Sequence, residues 1–137
     1  MRTLHLGLRV ADPDRAVAFY TAVGYEVVGR VAETTSGQLT MLKLPDDDVV
    51  SLELVFDPSG DGRNRGTGLS HFVIQVESMG ATITDLRAKA IEVAEPKSPD
   101  GSADFLTTWI TDPDGNRIEL VQWPTGHSDG LTAADWS

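Results

Sequence analysis

The chain has 137 residues, of which 40% are hydrophobic and 23% charged, with 21 acidic against 11 basic residues and a formal charge of −10. That balance excludes nucleic acid and anionic membrane surfaces as partners, because both need a basic face. There is no cysteine, so disulfides, thiolate nucleophiles and zinc–thiolate centres are excluded, and any metal must be held by nitrogen and oxygen.

The first predicted element is a strand over Leu4–Val10. Leu4, Leu6, Leu8 and Val10 alternate with Thr3, His5, Gly7 and Arg9, the period-two pattern of a half-buried strand. The polar face carries an imidazole, a bare backbone and a guanidinium, and Gly7 leaves room for close approach. Asp12-Pro13-Asp14 then starts a helix, with Asp12 as cap and Pro13 in the first turn. Ala16, Phe19, Tyr20 and Val23 form its apolar stripe and Gly24 ends it. Strands are predicted over Tyr25–Val31, Gly37–Leu44 and Val49–Phe56. Residues 57–68 are rich in Gly, with Arg63 and Arg65, and read as a linker rather than a phosphate loop, since no Gly-Lys-Ser/Thr follows. A strand over Leu69–Val76 precedes a helix capped by Ser78, with Met79, Ile83, Leu86 and Ala90 on one face. Further strands are predicted at Glu92–Ala94, Asp104–Ile110 and Arg117–Trp123, the last pair joined by the turn Asp112-Pro113-Asp114-Gly115. The tail 124–137 is polar and expected to be loosely held, with His127 solvated.

The chain echoes itself at an offset of 66 residues. His5 falls on His71, Val10 on Val76, Pro58 on Pro124, and Ser51-Leu52-Glu53-Leu54-Val55 on Arg117-Ile118-Glu119-Leu120-Val121. One module is therefore used twice, over 1–56 and 69–123, each opening on a His strand and closing on a Glu strand. Parity turns Glu53, Glu119 and His71 away from the apolar faces of their strands, and all four groups are expected in mid-strand. Two imidazoles and two carboxylates suit a single divalent ion such as Ni²⁺, Co²⁺, Fe²⁺, Mn²⁺ or Zn²⁺ with water in the open positions. Arg9, on the His5 face, reads either as a surface charge or as a clamp for a substrate carboxylate near the metal. Phe19, Tyr20, Phe56, Phe72 and Trp109 read as core or pocket wall.

These residues carry a family resemblance. Met1-Arg2-Thr3-Leu4-His5, Leu8-Arg9-Val10, Asp12, Arg15 and Phe19-Tyr20-Thr21 resemble the start of bacterial glyoxalase I (lactoylglutathione lyase). Asp112-Pro113-Asp114-Gly115-Asn116-Arg117-Ile118-Glu119-Leu120 resembles the closing hairpin found across the vicinal oxygen chelate superfamily. The resemblance spans residues 1 to about 123. It implies an α+β fold of two βαβββ modules, with eight strands and two main helices, paired in a homodimer. It implies His5, Glu53, His71 and Glu119 as metal ligands, with His5 and Glu53 of one chain completing a site with His71 and Glu119 of the other. It implies one divalent metal per site, Ni²⁺ or Co²⁺ favoured and Zn²⁺ possible. The reaction implied is isomerisation of a 2-oxoaldehyde–thiol hemithioacetal to a 2-hydroxyacyl thioester through a metal-bound enediolate. Glu119 would be the base and Glu53 its counterpart for the other stereoisomer, with Arg9 and Asp57 on the substrate. Asp57 stands where the family carries an Asn for the glutamyl end of glutathione. Gly101-Ser102-Ala103-Asp104 stands where a basic residue is expected. Both departures bear on which thiol is used. The competing readings are an acyl-thioester epimerase, whose branch carries Gln where Glu53 sits, an extradiol dioxygenase, whose open face Glu53 would block, and a metal-free drug-binding module. The expected location is cytoplasmic.

Overall fold

A computed structural model describes residues 1–60 and 68–136. The assignment of residues 61–67, with Arg63 and Arg65, to a linker lies outside the described residues. The elements run β1 (Leu6–Arg9), α1 (Pro13–Val23), β2 (Glu26–Val31), β3 (Gln38–Lys43), β4 (Leu52–Phe56), β5 (Phe72–Gln75), α2 (Met79–Ala88), β6 (Leu106–Thr111) and β7 (Arg117–Gln122), and a short 3-10 turn over Ala133–Trp136. They fall into two compact units: Met1–Gly68 with Asp112–Asp114, and Leu69–Thr111 with Gly115–Ser137. No helix among the described residues is long and apolar enough to cross a membrane.

In the first unit the sheet order is β1-β4-β3-β2. β1 lies parallel to β4 and the other pairs are antiparallel. A parallel pair needs a long crossover, and α1 begins that connection. The helix forms where its caps say it should. The Asp12 carboxylate accepts the Arg15 N–H, Pro13 opens the first turn, and Gly24 at φ 132° donates its N–H to Tyr20 and Thr21 carbonyls. Leu8, Leu42, Leu52 and Leu54 are buried, as are Ala16 and Tyr20 of α1. Gly7, Arg9 and Glu53 alternate with those leucines onto the opposite face, the site face. Leu4, expected in the core, is 56% exposed instead. The ladder only starts where the Leu6 N–H meets the Ser51 carbonyl, so Leu4 lies before the strand.

Asp112 is buried in this unit and accepts a hydrogen bond of 2.6 Å from the Tyr20 hydroxyl. Burial, then the Asp112 hydrogen bond, holds the Tyr20 phenol well above its ordinary range, so it stays a donor. Tyr20→Phe removes that donor from a buried carboxylate. We expect it to cost about 1.5–3 kcal/mol in urea unfolding. A loss under about 0.5 kcal/mol would show that other partners suffice.

The second unit repeats the plan with order β5-β7-β6, β5 parallel to β7. Ile74, Ile110, Ile118 and Leu120 are buried, and Met79, Ile83 and Leu86 of α2 are buried with them. Seven strands are described where eight were expected. The segment Glu92–Ala94 forms no ladder. It touches β6 at points: the Ala94 N–H reaches the Trp109 carbonyl, the Thr108 hydroxyl reaches the Ala94 carbonyl, and Lys97 bridges Thr107. Pro96 lies between those points and has no N–H to donate, which divides the pairing.

The tail is bound, contrary to the expectation from its polarity. Trp123 stacks between Phe105 and His127, with centroids 5.5 Å and 4.6 Å away. The Gln75 side chain donates to Asp129 and accepts from the Trp123 indole and the Gly130 N–H. His127 is not simply solvated. Its Nδ1 meets the Ser128 carbonyl at 2.6 Å and its Nε2 the Asp135 carboxylate at 2.8 Å. Both partners are acceptors, so only the doubly protonated ring satisfies both. The Ser128 carbonyl first, then Asp135, raise the His127 pKa above its ordinary 6.5. A raised folded pKa means the stabilisation is complete below about 6.5 and is lost as pH rises through the folded value. An NMR titration of the His127 ring is expected to show a midpoint above 6.5, with loss of Gly130 amide protection on the alkaline side. A midpoint at or below 6.5 would contradict the contact.

Candidate metal centre

The two histidine–glutamate pairs follow from one register used twice. In the first unit Gly7 on β1 stands level with Glu53 on β4. In the second, Val73 on β5 stands level with Glu119 on β7. In each case the His lies two residues earlier, on the same face as the Glu. His5 Nε2 is 3.1 Å from Glu53 Oε2, and His71 Nε2 is 3.5 Å from Glu119 Oε2. The imidazoles are 36% and 35% exposed and the carboxylates 18% and 24%. These groups are reachable from solvent and are not sealed ion pairs. The glutamates sit in mid-strand as expected. The histidines do not, since each immediately precedes its strand.

Among the described residues, no three candidate ligands come together. Each unit therefore offers two donors, one borderline nitrogen and one hard oxygen. The donor types fit a divalent ion, though two donors fill only part of a five- or six-coordinate shell.

The surroundings of the two pairs differ. The Ser70 hydroxyl lies 2.9 Å from His71 Nδ1, which leaves Nε2 toward Glu119. Trp109, level with Glu119, sets its ring edge-to-face with His71 at 5.0 Å, and the Arg117 guanidinium lies 4.1 Å over the indole. In the first unit Met41 takes the place level with Glu53. No sequence motif singles out Ser70 or Arg117 for the site, and Trp109 reads from the sequence as core or pocket wall. Strand parity marks Trp109 and Arg117, because Thr108 and Ile110 are the buried members of β6. Arg9 lies exposed on the site face, level with Val55. Asp57 follows β4, and its Oδ1 accepts the Ser59 N–H and hydroxyl, closing the turn.

A pair of βα-built sheets, each offering an imidazole and a carboxylate, defines a class before it defines a protein. The model of the Glyoxalase/Bleomycin resistance protein/Dioxygenase superfamily matches residues 2–120, and the chain belongs to that superfamily. It is 30% identical over 125 residues to the lactoylglutathione lyase of Haemophilus influenzae, covering 89% of this chain and 93% of that protein. It is also 30% identical to a probable chloroplastic lactoylglutathione lyase of Arabidopsis thaliana, covering 88% of this chain but only 35% of the relative's length. The solved structure of the trypanothione-dependent glyoxalase I of Leishmania major is similar, with a TM-score of 0.70 and 26% identity over 89% of this chain and 86% of that one. These likenesses support a glyoxalase-type function at the level of the family, which also contains non-enzymes.

Proposed function

We propose that this protein is a metal-dependent lyase of the glyoxalase I type. It converts the hemithioacetal of a 2-oxoaldehyde and a thiol into a 2-hydroxyacyl thioester. The observation that carries the reading is the repeated His–Glu pair, held by the same parallel register in each unit. We place the working site across a homodimer, His5 and Glu53 of one chain meeting His71 and Glu119 of the partner subunit around one Ni²⁺ or Co²⁺, with Zn²⁺ as a further candidate. When bound, the ion would supply a charge sink for the negative charge that develops on the substrate.

The remaining chemistry belongs to the side chains. Glu119 removes the proton from the carbon bearing sulfur and returns it to the adjacent carbon, so the isomerisation balances without any co-reactant. Its carboxylate stands 3.5 Å from His71, outside good hydrogen-bonding range, whereas Glu53 is bonded to His5 at 3.1 Å. Glu119 is thus the less tethered of the two and the better placed to move a proton. Glu53 serves as its counterpart for the other stereoisomer. Val73 and Trp109 flank Glu119 on their strands. Arg9 anchors a carboxylate of the thiol, and Asp57 closes that end of the site.

Stripping the purified protein with a chelator and reloading it with Ni²⁺, Co²⁺ or Zn²⁺ tests the reading. We expect one ion per site and methylglyoxal isomerisation restored with at least one thiol of a panel. Failure of all three ions to bind stoichiometrically would overturn it.

A further inference from the structure

Gly7 is a glycine that the fold does not require. Its φ is not in the left-handed region, so its backbone is open to any residue. A Cβ built there would meet Val55 Cγ2 at 3.9 Å and Glu53 Oε1 at 4.0 Å, both ordinary contacts. The repeat supplies an internal control. The matching position, level with Glu119 in the same parallel register, is Val73, a residue 52% exposed. Sheet geometry at this position therefore tolerates a branched residue, and a glycine inside a strand weakens it. Packing and backbone strain do not explain the choice.

Position does explain it. Gly7 lies on the site face between His5 and Arg9, beside Glu53. The four residue steps from His5 to Arg9 span about 13 Å of extended chain. Resting on the lyase reading above, we infer that Gly7 is a specificity-determining residue, its bare backbone forming the floor along which the thiol half of the adduct lies. The thiol this fits is elongated and anionic, its sulfur end at the His5–Glu53 pair and its carboxylate at Arg9. A side chain at position 7 would stand in that path.

The test compares wild type, Gly7→Ala and Gly7→Val with the methylglyoxal adducts of glutathione and of 2-mercaptoethanol. Melting temperature, metal content and size in solution are measured alongside. We expect the ratio of kcat/KM for the glutathione adduct to that for the mercaptoethanol adduct to fall about tenfold or more in Gly7→Val, through KM, and less in Gly7→Ala. Melting temperature and metal content are expected to hold. An unchanged ratio overturns the inference, as does a wild type that accepts only the small adduct. A change of oligomeric state in Gly7→Val also overturns it, because the gap would then receive another copy of the chain. Absence of turnover of every adduct by the metal-loaded wild type is a different result: it removes the lyase reading itself and the role of Gly7 with it.

Discussion

Glu119→Gln is expected to keep its fold and lose turnover by about a thousandfold or more. Gln has the shape of Glu, so the register with Val73 and Trp109 on the neighbouring strands is undisturbed. Glu119 reaches solvent and its contact to the likewise reachable His71 is 3.5 Å long, so removing its charge strands no sealed partner and the melting temperature should barely move. The amide keeps an oxygen donor but cannot take up a proton at neutral pH. Metal content therefore has to be measured with the rate, to separate loss of the base from loss of a ligand. A metal-replete variant within about tenfold of wild-type turnover would show that Glu119 is not the base.

Much of the fold was legible because the strong signals are local. Asp12, Pro13 and Gly24 bracket α1, Ser78 caps α2, and alternation in Leu6–Arg9 and Leu52–Phe56 fixes which side chains face the core. The 66-residue offset reached further, for it matched residues that the two sheets place in equivalent registers, His5 with Glu53 and His71 with Glu119. The failures are of another kind. Leu4 alternates with the strand but lies beyond the first hydrogen bond that would hold it there. Glu92–Ala94 matches the first module's second strand by offset, yet Pro96 interrupts its pairing with β6. The tail reads as loosely held because its composition is polar. What binds it is side-chain hydrogen bonding and ring stacking around Gln75, Trp123 and His127, which no periodicity reports. Trp109 reads from the sequence as core or pocket wall, but its particular place beside His71 depends on strand pairing across β7.

The second large effect concerns the sharing of ligands between chains. In a two-fold dimer whose sites each take His5 from one chain and His71 from the partner subunit, His5→Ala and His71→Ala homodimers each lack one imidazole in both sites. Both should lose metal affinity by about a hundredfold or more and lose turnover with it. A mixed dimer is different. One of its sites lacks both imidazoles and the other has the complete set. If the two variants mix freely, half of the dimers are mixed, and about a quarter of all sites are whole.

Mixing the two inactive variants, refolded together, and measuring methylglyoxal turnover with bound metal is therefore the most direct measurement. Recovery of about a quarter of wild-type activity, with metal in proportion, is the result expected of a site divided between subunits. A mixture as inactive as its two components, though shown to have exchanged chains, would contradict it.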